Sequence, residues 1–199
     1  MQLPLFPLST IVMPGGLLPL RLFEPRYLDM VRQCFRHQSG FGVCLVKEGA
    51  EVGDAALPYP YGTVIKIVDW DQGENGLLQI VVRGETKFRL CETWVDRAEL
   101  RHGKVELLSP EVSSPVPDEY SHLVHTLEQI LGQVSGAVNY PNPEYSDSLW
   151  LGSRFVELLP LSAELRHELL SMDCPLERLS ALSEIFAVIA QNREGNLKL

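Results

Sequence analysis

A proline-interrupted apolar segment opens the chain and constrains its fold more than any other feature of the sequence. Residues 3–27 read LPLFPLSTIVMPGGLLPLRLFEPRY, with five prolines and with no charged side chain before Arg21. Each proline fixes its φ angle and removes a backbone N–H, which excludes a membrane helix and a regular central strand. A secretory signal would need basic residues ahead of an unbroken apolar run. We therefore expect strands at 3–8 and 17–23 that are short, kinked or at an edge, joined by a Pro-Gly-Gly turn, in a soluble, cytoplasmic protein.

After this segment the apolar residues first recur at helical spacing and then, further along the chain, alternate as in strands. In FEPRYLDMVRQCFRH, apolar side chains recur at helical spacing after a proline suited to a first turn, which predicts a helix over 25–36. From 61 to 108 the alternation is that of strands with turn residues between them. The predicted strands begin with 41–47 and 61–70, and a loop follows at 71–76. Residues 77–83 and 86–94 are predicted to form a hairpin with its turn at 84–85. A last pair of strands is predicted on either side of a turn at 101–103.

A proline- and serine-rich stretch at 109–119 marks a boundary, after which the period becomes 3.6. The predicted helices beyond it are 120–134, 147–159, 162–172 and 175–192, with a loop at 136–145. The expected fold class is therefore α+β, a small β-barrel with one embedded helix followed by a C-terminal helical bundle. The expected domains are 1–110 and 111–199.

Motifs for catalysis, nucleotide binding or metal binding are missing from the sequence. It contains no GxxxxGK[ST], GxGxxG, HExxH or GxSxG motif. His122 and His125 stand at i,i+3 spacing but lack the companion ligands of a tetrahedral site, and His167 is expected to be a solvated helix residue. Four widely spaced cysteines, Cys34, Cys44, Cys91 and Cys174, are expected to be buried free thiols. We expect no catalytic residue, no cofactor and no metal.

The charge balance argues against nucleic acid as a partner. The net charge is −9, and it is unevenly spread: residues 1–110 hold 12 basic and 13 acidic side chains, whereas residues 111–199 hold 5 and 13. A phosphate backbone is bound mainly by clustered lysine and arginine. Neither half of the chain offers such a cluster.

The opening motif resembles the start of the N-terminal, substrate-binding domain of the ATP-dependent Lon protease family. LPLFPL, the later PG and LPL, and LFEPRY followed by a helix fit that family's pattern. GTVIKI at 62–67, VRGETKFRL at 82–90, and LLPLSAELRHELLSMDCPLERLSAL at 158–182 stay in register with it, with Lys87 where arginine is commoner. The resemblance covers essentially the whole chain.

The resemblance implies a PUA-like barrel and a module that binds polypeptide segments or a partner protein. The chain ends at Leu199 with neither the ATPase nor the Ser-Lys protease module of full-length Lon. A stand-alone, non-catalytic module is therefore expected. An RNA-binding PUA-like protein, a small-molecule binder and an unrecognised enzyme stay open as alternatives. The sequence leaves the ligand and the oligomeric state open.

The binding surface is expected beside the first helix and the proline-rich edge. The residues assigned to it are Phe23, Arg26, Tyr27 and Met30, with Arg26 orienting a carboxylate or carbonyl and the others giving apolar contact. Arg26 could alternatively pair with a carboxylate of the barrel, and Glu24 would lie at the positive end of the helix. The residues expected to cover the core are Leu3, Leu5, Phe6, Leu8, Val12, Leu18, Leu20 and Phe23.

Overall fold

The fold consists of six strands and five α-helices within the part of the chain that the structure describes. This structure is a computed structural model, and it describes residues 1–73, 77–133, 140 and 142–195. The strands are β1 (Gln2–Leu8), β2 (Leu17–Leu22), β3 (Phe41–Glu48), β4 (Leu57–Gln72), β5 (Leu78–Val95) and β6 (Arg101–Leu107). The helices are α1 (Pro25–His37), α2 (Ser121–Gln133), α3 (Ser148–Leu158), α4 (Ala163–Ser171) and α5 (Pro175–Gly195). The predicted α+β class is confirmed.

The chain divides into two compact units. The first contains residues 1–110 and 160–170, and the second contains residues 111–159 and 171–199. From the sequence, residues 160–170 are expected to belong to the second domain, 111–199. In the structure these residues belong to the first unit, because the side chains of α4 contact the barrel: Tyr59 stacks on His167, and the guanidinium of Arg166 donates to the carbonyl of Ser9.

The six strands form one sheet in the order β2-β5-β4-β3-β1-β6, which an added β5–β6 pairing closes on itself. Strand β5 makes this closure possible because it is long. Its residues 78–83 pair with β2, and its residues 88–95 pair with β6. Strand β2 is left at the end of the order, as Pro19 predicted, whereas β1 pairs with both β3 and β6 although it contains Pro4 and Pro7.

The expected hairpin turn at 84–85 is wrong, since β5 runs through it without a break. Gly84 marks a close approach of two backbones: it donates to the carbonyl of Gly16 and accepts from the N–H of Gly15. A Cβ at this position would lie 2.2 Å from the carbonyl oxygen of Met13. The glycine is therefore required by packing against the 13–16 turn.

The expected turn at 101–103 is also misplaced, because these residues begin β6. The turn lies at 96–100, where the carboxylate of Asp96 accepts hydrogen bonds from the N–H groups of Ala98 and Leu100. A side-chain carboxylate that satisfies nearby N–H groups stabilises such a turn locally. Two other loops were predicted, at 71–76 and at 136–145. Residues 74–76 of the first loop, and residues 136–139 and 141 of the second, lie outside the described residues.

Helix α1 follows its sequence signals closely. Pro25 occupies the first turn, and the carbonyl of Glu24 accepts from the N–H groups of Tyr27 and Leu28. Gln38 ends the helix in the left-handed conformation. The buried face carries Tyr27, Met30, Val31 and Cys34, and it packs against the barrel core.

Two clusters of buried apolar side chains form the core of the barrel. The larger cluster contains Phe6, Leu8, Val12, Leu22, Tyr27, Met30, Val31, Cys34, Phe41, Val43, Ile65, Ile80, Val82 and Leu100. A second cluster contains Leu3, Leu5, Cys44, Phe88 and Val105. Of the residues expected to cover the core, Leu3, Leu5, Phe6, Leu8 and Val12 are buried, and Leu18 and Leu20 are partly buried against the larger cluster. Phe23 is not in the core, since its side chain is 55% exposed.

The second unit contains α2, α3 and α5, and buried ion pairs lie within it. Asp147 caps α3 by accepting from the N–H of Trp150. Arg178 donates both terminal nitrogens to Glu111 at 2.7 Å and one of them also to the carbonyl of Met172. No helix among the described residues is long and apolar enough to cross a membrane.

Candidate functional site

An open groove of about 180 Å³ lies beside β2 and the start of α1. One wall comes from β1 and from the first turn of α1, and another from the loop between β3 and β4. The lining residues are Phe6, Leu8, Pro19, Leu20, Arg21, Leu22, Phe23, Glu24, Tyr27, Glu51 and Val52. Most of these side chains are apolar.

The groove runs along the edge of β2 and does not lie over one of its faces. Four consecutive residues of β2, 19–22, all line it. Neighbouring side chains of a strand point to opposite faces, so one face alone could supply only every second residue. Among the described residues, β2 pairs with β5 alone. The unpaired side of β2 therefore forms part of the groove.

The floor of the groove is a pair of stacked aromatic rings. The rings of Phe6 and Tyr27 lie 3.9 Å apart between centroids, at an interplanar angle of 20°. Tyr27 is 6% exposed, and burial raises the pKa of its hydroxyl. The ring therefore stays neutral and offers an apolar surface with a polar tip.

Arg26 is buried next to the groove and holds three chain segments together. Its guanidinium donates to the carbonyl of Glu99 at 3.0 Å and to that of Gly53 at 2.6 Å, and it forms an ion pair with Glu24 at 2.7 Å. Arg26 was expected to pair with a carboxylate of the barrel, but its ion-pair partner is Glu24, two residues before it in the chain. Because Arg26 is only 7% exposed, we assign it to positioning the β3–β4 loop and not to contact with a ligand.

The four residues assigned to the binding surface are therefore separated by the structure. Phe23 and Tyr27 line the groove, the first exposed and the second at the floor. Met30 is 2% exposed and lies in the core cluster, because it stands on the inward face of α1. Sequence spacing placed it beside Tyr27, but it did not show how deeply the helix is sunk into the barrel.

Glu51 and Val52 belong to the groove although the sequence analysis did not find them. They lie in an irregular loop after β3 and reach the groove only through the tertiary fold. Glu51 is half-buried and accepts a hydrogen bond from the backbone N–H of Ser9. No lysine, arginine or histidine of the described chain lies within ion-pair distance of it, whereas Glu24 is matched by Arg26.

His167 is not the solvated residue that was expected. Its ring stacks on Tyr59 at 4.6 Å between centroids and lies 5.6 Å from Tyr61. Burial against these rings lowers the pKa of the imidazole. The His122–His125 pair has other contacts: His122 bonds with the Glu119 carbonyl and Ser183, and His125 with Gln129.

The four cysteine thiols differ in burial, whereas the sequence predicted that all four are buried. Cys34 and Cys44 are buried, and burial raises the pKa of Cys44 to about 12. Cys91 is exposed and Cys174 is partly buried, so the expectation of four buried thiols is wrong for these two. Within the described ranges no three histidine, cysteine or acidic side chains form a group that could hold a metal ion.

Comparison with known proteins identifies the family. The profile of the ATP-dependent protease La (LON) substrate-binding domain matches residues 2–187. The chain belongs to this Lon family. A crystal structure of a Lon N-terminal domain protein from Xanthomonas campestris has 37% sequence identity and a TM-score of 0.76, over 92% of this chain and 98% of that one. The N-terminal domain of a Mycobacterium avium complex Lon protease has a TM-score of 0.62 over 92% of this chain and 97% of that one, at 18% identity, and so supports the fold.

Curated Lon proteases are similar over a small part of their own length. One from Parabacteroides distasonis is 25% identical over 141 residues, which are 70% of this chain and 17% of the protease. Lon protease 2 of Myxococcus xanthus is 28% identical over 114 residues, which are 56% of this chain and 14% of the protease. The matched region of this chain is the Lon substrate-binding domain, which is not itself catalytic.

Proposed function

We propose that this Lon-type domain binds extended, apolar polypeptide segments in the groove beside β2. The observation that carries the proposal is the exposed ring of Phe23 at the rim of a groove with the Phe6–Tyr27 stack on its floor. An exposed aromatic ring beside an apolar depression is costly in water and is typical of a contact site.

The size of the groove favours a side chain of a passing polypeptide over a cofactor. Pockets that enclose drug-sized ligands have volumes of roughly 300–1,000 Å³. The groove has about 180 Å³ and is open to solvent. It has room for one or two apolar side chains while the rest of a polypeptide lies outside it.

The family supports the same class of ligand. Its profile is that of the substrate-binding domain of a protease, and the substrates of a protease are polypeptides. We propose further that the domain has no ATPase or peptidase activity of its own. Incubation with ATP, magnesium and unfolded casein should give no turnover above a buffer control, and turnover that co-purifies with the protein would contradict this.

The binding test compares two phenylalanines of similar exposure. Phe23 lines the groove and is 55% exposed, whereas Phe35 lies outside it and is 43% exposed. Phe23→Ala should weaken binding of a fluorescently labelled, permanently unfolded protein by about 1–2 kcal/mol, or roughly five- to thirtyfold in Kd. Phe35→Ala should leave Kd unchanged.

Circular dichroism should first show that both variants keep the native fold. Wild-type protein that binds no unfolded chain would refute the proposal. Equal binding by wild type and Phe23→Ala would show that polypeptide is bound elsewhere on the domain.

A further inference from the structure

We infer that the polypeptide is bound as an additional β-strand on the outer edge of β2, with a basic side chain next to Glu51. This inference rests on the proposed function and specifies how the same groove recognises its ligand. It concerns the main chain of the ligand and one of its charges, whereas the proposal above concerns its apolar side chains.

The outer edge of β2 has unpaired backbone groups. In an antiparallel pair, the N–H and C=O of one residue point to the same side, and successive residues alternate. Gly16 accepts from Gly84 and so faces β5. Leu17, Pro19 and Arg21 therefore face away from β5, where the described chain supplies no hydrogen-bond partner to them.

The opposite wall of the groove also has an unpaired strand edge. Met1 exchanges two hydrogen bonds with Val105 and so faces β6. By the same alternation Pro7 faces that side, yet β6 pairs with β1 only at residues 2–4. Phe6 and Leu8 of β1 line the groove, whereas Pro7 is buried and does not, so the groove lies in the opening between the end of β1 and β2.

The backbone edge of β2 in this opening has more hydrogen-bond acceptors than donors. Pro19 presents a carbonyl but no N–H, and Glu51 adds a carboxylate. A ligand that fits must therefore supply donors. The main-chain N–H groups of an extended polypeptide do so, and a lysine or arginine side chain carries donors only.

The charge of the opening favours the same ligand. Glu51 is half-buried and has no lysine, arginine or histidine of the described chain within ion-pair distance, whereas the guanidinium of Arg21 stands on the exposed face of β2. A half-buried charge is less screened by solvent than an exposed one, so the carboxylate should dominate selectivity. The occupant is accordingly an extended segment that alternates apolar and polar residues and carries a basic side chain.

The test uses a fluorescein-labelled peptide of about ten residues, a common strand length, with alternating leucine and serine and a central lysine. Two further peptides carry N-methyl groups on alternate residues, one on the leucine nitrogens and one on the serine nitrogens. Strand addition uses the N–H groups of one set only. One methylated peptide should therefore lose at least about tenfold in affinity, and the other should retain the parent affinity.

The charge is tested with a peptide in which leucine replaces the lysine, and with the variant Glu51→Gln, which keeps an acceptor for Ser9. The lysine peptide should bind wild type about three- to tenfold more tightly than the leucine peptide, and Glu51→Gln should abolish the difference. Equal effects of the two methylation patterns, or a lysine preference that survives Glu51→Gln, would overturn the inference. If the parent peptide still binds wild type and is weakened by Phe23→Ala, the proposed function stands; if no peptide binds wild type, both fail.

Discussion

The ammonium group of Lys87 on β5 donates a hydrogen bond of 3.0 Å to the carbonyl of Leu170 on α4. The two residues are 83 positions apart, and the side chain of Lys87 is 3% exposed. A buried ammonium is tolerated only when its donors are satisfied. This contact joins the barrel to a helix that the sequence analysis had assigned to the other unit.

Lys87→Met should reduce the free energy of unfolding by about 1–3 kcal/mol, because it leaves the Leu170 carbonyl without this donor. Urea denaturation measures the loss. Lys66→Met on the exposed face of β4 is the matched control and should change stability by less than about 0.5 kcal/mol. Equal effects of the two substitutions would contradict the assigned role.

Gly84→Ala should destabilise the first unit strongly. The new Cβ would lie 2.2 Å from the Met13 carbonyl oxygen, so backbone must move. We expect a loss of about 2–4 kcal/mol in urea denaturation. Gly132→Ala in α2 has open space around it and should leave stability unchanged or raise it by up to about 1 kcal/mol. A benign Gly84→Ala would mean that the 13–16 turn does not press against β5.

Glu111→Gln should destabilise the second unit by about 3–5 kcal/mol, because the buried guanidinium of Arg178 would lose the charged carboxylate that accepts from both of its terminal nitrogens. The side chains of this pair are 0% and 3% exposed. The exposed pair of Arg89 and Glu106 provides the comparison, and Glu106→Gln should cost at most about 1 kcal/mol. Thermal unfolding followed by circular dichroism would rank the two variants, and a reversed order would refute the assignment.

His167 should make the stability of the first unit depend on pH. Burial lowers its pKa below the value of 6.5 for an unfolded chain, so the folded state favours the neutral imidazole. The contribution to stability is therefore present above about pH 6.5 and is lost as the pH falls through the folded pKa. His167→Phe keeps an aromatic ring between Tyr59 and Tyr61 and removes the titration.

The measurement for His167 is the free energy of unfolding between about pH 5 and 7. Wild type should lose more stability on acidification than His167→Phe does, while exposed His37→Phe should follow wild type. An NMR titration of the imidazole protons should place the pKa of His167 below 6.5. Parallel pH profiles for wild type and His167→Phe would exclude this role.

Limited proteolysis tests the proposed boundary at 109–119. Val112 is 81% exposed, and its neighbours at 109–110 and 113 are also exposed. Proteinase K should cut first near Val112 and leave a resistant barrel fragment. First cuts within 61–95 would mean that the barrel is not the more stable part.

The sequence determined those features that depend on local patterns. The φ restriction of proline predicted an edge position for β2, and helical spacing after Pro25 predicted α1 to within one residue at its end. The α+β class followed from periodicity, and the burial of Leu5, Phe6 and Leu8 followed from their place in the uncharged apolar segment.

Only the tertiary structure decided where these elements meet. Gly84 is a residue type that favours turns, but it lies inside β5. A glycine is needed there because the backbone of Met13 packs against it. Glu51 reaches the groove from a loop without a pattern, and Met30 leaves the surface because α1 is sunk into the barrel. The physical reason is that local propensities act over a few residues, whereas burial and the pairing of polar groups are set by contacts between segments far apart in the chain.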